Sequence, residues 1–432
     1  MTPLTLDPAA TAWLLAATAM VLLMTPGLAI FYGGMVRSTG VLNMLMMSFI
    51  AIPLVAVVWL LFGYSLAFGD DAGGGIIGDL GHLGLSGIDP GTLHAIPGTD
   101  GKAVPELLFV TFQLTFAILT VALVSGAIAD RAKFSAWMIF VPVWALIVYS
   151  PIAHWVWTPD GWLAELGALD YAGGLVVEIA SGASALAMAI VLGPRVGFKV
   201  DAMRPHNLPF VLLGAGLLWF GWFGFNAGSA LQANGIAAAV FLNTLVAGCL
   251  GMLGWLVVEQ VRDGRPTTFG AASGAVAGLV AITPSCGTVN TLGALIVGLL
   301  AGVVCSFAVG WKFKGNYDDS LDVVGVHFVG GVVGTLLIGL LATHVMTDGA
   351  DGLFYGGGPA QLGKQVVGVL AVAAFAFGVT FLLGKVIDKF IGFRISREDE
   401  VGGIDFALHA ETAYAEGVHG HSPQRHGKPF GH

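Results

Sequence analysis

Asp170-Tyr-Ala-Gly-Gly-Leu-Val-Val-Glu178 and Asp319-Ser-Leu-Asp-Val-Val-Gly-Val-His327 each place an ionisable residue eight positions after an aspartate, inside an otherwise apolar run. A charged side chain at the centre of a membrane span costs roughly 2.5–3.5 kcal/mol on insertion scales, so such residues face a pathway or a partner. Two of them at matched offsets in two similar segments predict a duplicated architecture. Its transport site would lie where the halves meet, with one ionisable residue from each.

The surrounding composition is that of a membrane protein. Hydrophobic residues make up 56% of the chain and charged ones only 10%, against roughly 25% charged in soluble domains. Mean hydropathy is +0.84. Apolar runs long enough to span a bilayer, about 20 residues, fall near 11–32, 43–68, 107–128, 134–153, 171–192, 208–226, 236–258, 268–283, 291–310, 323–342 and 365–387, the 268–283 run being the weakest. Basic residues test the count of eleven. With the N-terminus outside, all of the 18 except Lys102 and Lys364 fall in alternate loops or at and beyond the end of the last span. The positive-inside rule then predicts N-out, C-in, which needs an odd number of spans. No basic region precedes the first run, so residues 1–32 read as a retained span and not a cleaved signal.

Ten spans divide into two sets of five, with the eleventh outside the repeat. Because five is odd, the second set inserts inverted relative to the first, about an axis in the membrane plane. Glu178 falls in span five and His327 in span ten. Asp170 and Asp319 lie about 12 Å along a helix from them at 1.5 Å per residue, and are expected to cap or support these spans. Many of the 64 glycines sit within spans, where they allow close helix contact. Cys249, Cys286 and Cys305 lack metal-ligand spacing and read as packing residues. Neither a metal nor a cofactor is expected, and nothing suggests nucleic-acid binding. The acidic loop 69–106 reads as solvated, with some attraction for cations. Residues 1–391 are expected to form the transmembrane domain and 392–432 a cytoplasmic tail. The first part of that tail has enough Phe, Ile and Leu to dock, and its His-, Gly- and Pro-rich end is expected to be disordered.

Eight segments are more specific than hydropathy: Phe31-Tyr-Gly-Gly-Met-Val-Arg37, Ala129-Asp-Arg-Ala-Lys-Phe-Ser-Ala136, Tyr149-Ser-Pro-Ile-Ala-His154, Gly167-Ala-Leu-Asp-Tyr-Ala-Gly-Gly174, Pro205-His-Asn-Leu-Pro209, Gly221-Trp-Phe-Gly-Phe-Asn-Ala-Gly-Ser229, Thr283-Pro-Ser-Cys-Gly287 and Asp322-Val-Val-Gly-Val-His327. In this order the chain resembles the ammonium transporter (Amt/Mep/Rh) family from about Thr11 to Tyr414. The resemblance implies an all-α polytopic homotrimer in a prokaryotic plasma (inner) membrane, with eleven spans and one pore per protomer, passing ammonium or ammonia with methylammonium as an analogue. It places an outer recruitment site at Phe116, Trp157 and Ser229, with Phe112 a possible contributor, and a ring gate at Phe116 and Phe225. Aromatic faces suit a small cation, offering roughly 0.5–2 kcal/mol each. Plain packing is the ordinary reading of aromatics in membrane spans, and only the motif context outweighs it here. The tail resembles the region on which a PII-type nitrogen regulator docks in many bacterial members.

Most members of the family pair two histidines in the lumen; His327 matches the second, but Glu178 stands at the first position. A carboxylate beside an imidazole titrates as a coupled pair, holding its proton as Glu⁰/His⁰ or as Glu⁻/HisH⁺. The expectation is therefore an electrogenic transporter: ammonium recruited outside is deprotonated, ammonia crosses, and the proton travels through Glu178 and His327. Three alternatives stand beside it: an ammonium sensor, for which the tail leaves no room for an appended signalling domain; a Rhesus-type gas channel, which Trp157 and Ser229 disfavour; and an intramembrane metalloenzyme, which lacks a ligand cluster.

Overall fold

The computed structural model describes residues 3–347 and 349–414. Among the described residues, ten helices are long and apolar enough to cross a membrane: α1 (Pro8–Met35), α2 (Val41–Phe68), α3 (Glu106–Ile128), α4 (Phe134–Leu166), α5 (Gly174–Leu192), α6 (Leu208–Gly228), α7 (Gly235–Asp263), α9 (Thr291–Gly315), α10 (Val324–Leu341) and α11 (Ala360–Ile391). Between α7 and α9 lies the shorter apolar α8 (Thr268–Ile282), which completes the eleven. Five of the helices begin at a side-chain cap. Asp7 accepts the Ala10 N–H ahead of α1, and Asn207, Asn234, Thr267 and Asn290 do the same for α6 to α9.

The short α8 has a physical cause. At 15 residues it rises only about 22 Å, and the chain continues through the irregular turn Thr283–Val289. Backbone carbonyls there need partners inside a membrane. Asn243 on α7 donates to Cys286 O at 2.9 Å and Val289 O at 3.0 Å, and Trp222 Nε1 bonds Thr283 Oγ1 at 2.8 Å.

The two sets of five pack through matching partners. Helices α1 and α6, the first of each set, make the most extensive contact in the molecule. A Cβ on Gly34 would lie 2.7 Å from Asn207 O, and one on Gly214 2.3 Å from Phe31 N, so bare backbone is required for that approach. Helices α5 and α10, the last of each set, both pack on α11. On the face carrying the 69–106 loop, a three-stranded sheet joins β1 (Thr5–Leu6), β3 (Lys102–Pro105) and β2 (Leu93–Ala95) in the order β1-β3-β2. It ties the start of α1 to the entry of α3.

On the opposite face the tail folds back onto the helix ends. Phe393, Ile395 and Ile404 are buried, with Phe393 edge-on to Phe140 at 5.9 Å. The Asp405 carboxylate accepts the Leu42 and Asn43 N–H groups at 3.0 and 2.7 Å, capping α2. Glu400 accepts the Val196 N–H at 2.6 Å and pairs with Arg394 at 2.7 Å. The docking surface for the apolar residues of the tail is thus the chain's own helix ends on this face. The His-, Gly- and Pro-rich end lies outside the described residues.

Candidate functional site

Both ionisable residues stand on locally widened turns. The Ala180 N–H reaches Leu175 O and the Val329 N–H reaches Val324 O, five residues back instead of four. These π-helical turns cover Gly174–Ile179 and Val324–Phe328, one in each half, and hold Glu178 and His327. Two further π-helical turns, Trp59–Gly63 in α2 and Ala145–Tyr149 in α4, lie away from the pair, so it is the meeting of the Glu178 and His327 turns that marks the position. Asp170 caps the Glu178 turn. Its Oδ1 accepts the N–H groups of Gly173 and Gly174 at 2.9 and 2.6 Å, and its Oδ2 those of Leu175 and Val176 at 2.7 and 3.2 Å. Gly173 adopts φ +123°, a backbone region that favours glycine. Asp319 makes the corresponding but sparser contact: its Oδ2 accepts the Val324 N–H at 2.7 Å.

The two turns meet at the middle of the bundle. His327 Nδ1 lies 2.7 Å from Glu178 Oε2, with the side chains 5% and 1% exposed. The crossing is reciprocal. Gly182, four residues after Glu178, faces Phe328, where an added Cβ would lie 2.5 Å from the Phe328 Cβ. Gly331, four residues after His327, faces Glu178, where a Cβ would lie 2.9 Å from the Glu178 Cβ. Each half therefore supplies one ionisable residue and a glycine gap that receives the opposite half, Phe328 at Gly182 and Glu178 at Gly331. On the tail side, a cavity lined by Tyr32, Ser273, Asp322 and His327 leads away from the pair.

The aromatic residues form one cluster. Phe116 and Phe225 stack at 4.0 Å and 23°. Trp157 meets Phe116 edge-on at 5.9 Å and 87°. Phe112 packs on Phe116 at 4.9 Å and closes against Gly228. Phe112, Phe116 and Phe225 are buried, while Trp157 and Ser229 are partly exposed. The Ser229 hydroxyl donates to Phe225 O at 2.8 Å, which leaves its oxygen lone pairs able to accept an N–H. Asp170 links this cluster to the central pair: its main-chain O accepts Trp157 Nε1 at 3.1 Å while its carboxylate caps the Glu178 turn.

Sequence reading missed Gln361 and Gln365 on α11. Both are buried, and they grip Gly167 and Leu169 beside Asp170. Two amide side chains one turn apart on an apolar span were the available signal.

A buried Glu–His pair between two matched, locally widened helices, beneath stacked rings, marks a polytopic membrane transport protein built on a duplicated helical bundle. Within that class the chain belongs to the ammonium transporter family, whose sequence pattern, described as the Ammonium Transporter Family, matches residues 12–414. It is 55% identical over 431 residues to an ammonium transporter of Mycobacterium bovis, covering 94% of this chain and 90% of that one. The crystal structure of Candida albicans Mep2 superposes with a TM-score of 0.84 at 35% identity, covering 91% of this chain and 88% of the other. A solved structure described as a sensor Amt protein superposes at 0.83 and 30% identity, covering 93% and 98%.

Proposed function

We propose that this chain is a transporter and not an enzyme, and that it moves ammonium across a prokaryotic plasma membrane as ammonia and a separately travelling proton. The observation that carries this reading is the Glu178–His327 pair, dry and 2.7 Å apart beneath a closed ring stack.

Ammonium would first be held at the partly exposed Trp157, whose ring face attracts a cation, with Ser229 accepting one N–H and the buried Phe116 closing the site beneath. Phe116 and Phe225 are buried and stacked, and moving an unpaired cation past such apolar surface is costly. Loss of a proton is the cheaper route: NH₄⁺ becomes NH₃ and H⁺. Ammonia passes Glu178 and His327. The proton enters the pair, transfers between Oε2 and Nδ1 over a distance that needs no heavy-atom movement, and leaves toward the cavity below His327. Both side chains return to their starting states, and one positive charge crosses per ammonia.

In this reading three protomers associate, each with its own pore, with the N-terminus outside and the tail in the cytoplasm. The 69–106 loop then faces out and the docked tail lies where a PII-type regulator would reach it. A pull-down with the cognate regulator, with and without ADP and 2-oxoglutarate, tests that partner. Transport itself is tested by methylammonium uptake in a transport-deficient host together with ammonium-evoked current on solid-supported membranes. Uptake with current is expected, and uptake without any current contradicts the electrogenic route. The likeness to a sensor Amt protein favours a second reading, ammonium sensing with little conduction, for which binding would persist without uptake.

A further inference from the structure

Gln365 lies on α11, outside the ten-helix repeat, and is fully buried. Its amide uses every hydrogen-bonding position it has. The oxygen accepts the Leu169 N–H at 2.7 Å and the Gln361 amide at 3.0 Å. The nitrogen donates to Leu169 O at 2.7 Å and Thr335 O at 3.3 Å. A backbone N–H can only donate and a carbonyl only accept, so the amide has a single orientation. Gln361, one turn earlier, adds a bond to Gly167 O at 3.0 Å.

These contacts converge on the functional site from a helix that carries neither Glu178 nor His327. Leu169 precedes Asp170, whose main-chain O holds the Trp157 indole at 3.1 Å and whose carboxylate caps the turn bearing Glu178. Thr335 lies on α10, eight residues beyond His327. One side chain therefore ties together the loop that aims Trp157, the start of one pore helix and the body of the other. A buried amide within a membrane span is costly unless fully bonded, and an aliphatic residue would fill the same space.

We propose that Gln365 is a positioning residue for ammonium capture: by gripping Leu169 on both its N–H and its carbonyl, it sets the height and tilt of the Trp157 face over the ring stack. This rests on the recruitment reading of Trp157. The expected signature lies in apparent affinity rather than turnover, because the Glu178–His327 pair is not touched.

The test is a double-mutant cycle with Q365M, which keeps the volume but removes the hydrogen bonds, and W157L, read as initial methylammonium uptake against concentration. Q365M should raise KM about tenfold with the maximal rate and the pH profile nearly unchanged. It should add little in the W157L background, since both changes act through one contact. If W157L raises KM but Q365M leaves it unchanged, lowers only the maximal rate, or adds fully to W157L, the positioning role is overturned while the recruitment reading stands. If W157L leaves KM unchanged, the recruitment reading falls and this inference with it. Should Q365M not fold, the same cycle with Q361M, which releases Gly167 and one of the two bonds to the Gln365 oxygen, is decided by the same outcomes.

Discussion

Asp170 bears more hydrogen bonds than any other ionisable residue near the pore, and all four come from backbone N–H groups at the start of α5. An asparagine there keeps one oxygen and turns an NH₂ toward donors it cannot satisfy. D170N should therefore destabilise the protein by about 1–3 kcal/mol for each orphaned N–H, seen as a lowered melting temperature in detergent, with methylammonium uptake lost. Unchanged melting would show that the cap is dispensable. The central residues were legible in the sequence because an ionisable group in an apolar run is conspicuous, and because the same spacing from an aspartate occurs twice. Gln365 was not. A neutral amide barely disturbs hydropathy, and its four partners lie in segments more than 25 residues away or within its own turn.

At the scale of elements, eleven apolar stretches were readable from hydropathy and basic-residue alternation, down to the weakness of the 268–283 run. The π-helical turns that carry Glu178 and His327 were not. Each differs from an α-helix by a one-residue shift in a few hydrogen bonds and leaves no mark on composition. Nor could the sequence show that Gly182 and Gly331 are receiving gaps for the opposite half, since helical glycines look alike until a neighbour is known. Gly331 has the sharper consequence. An alanine there would set its Cβ 2.9 Å from the Glu178 Cβ, inside contact distance, so the carboxylate must shift away from His327. G331A should cut ammonium-evoked current about tenfold or more, as expected of a misplacement of order 1 Å at a reacting pair, while the protein still folds. Native current from G331A would contradict the close crossing.

The whole molecule joins an apolar helical bundle to a polar face on which the tail is folded. The tail's apolar content announced docking, but its partners, the backbone of Leu42, Asn43 and Val196, carry no side-chain signature. Asp318 on this face pairs with Arg195 at 2.9 Å. Burial by itself raises the Asp318 carboxyl, yet the Arg195 hydrogen bonds and charge outweigh it and hold it below the ordinary value of 3.8. A carboxyl whose folded value is depressed contributes stability above its unfolded value and loses it as pH falls through the folded one. The melting temperature should thus decline as pH falls below about 4, and D318N should lie lower at neutral pH with a smaller acid-induced drop. A D318N profile parallel to the native one would remove Asp318 from that account. The proposed net charge movement would be a property of the whole molecule, and measuring it tests the central claim most directly. In proteoliposomes, ammonium-evoked current recorded across pH should depend on pH in the native chain, and E178Q should suppress that current or strongly shift its pH dependence. An E178Q profile that overlays the native one would exclude Glu178 from the proton path.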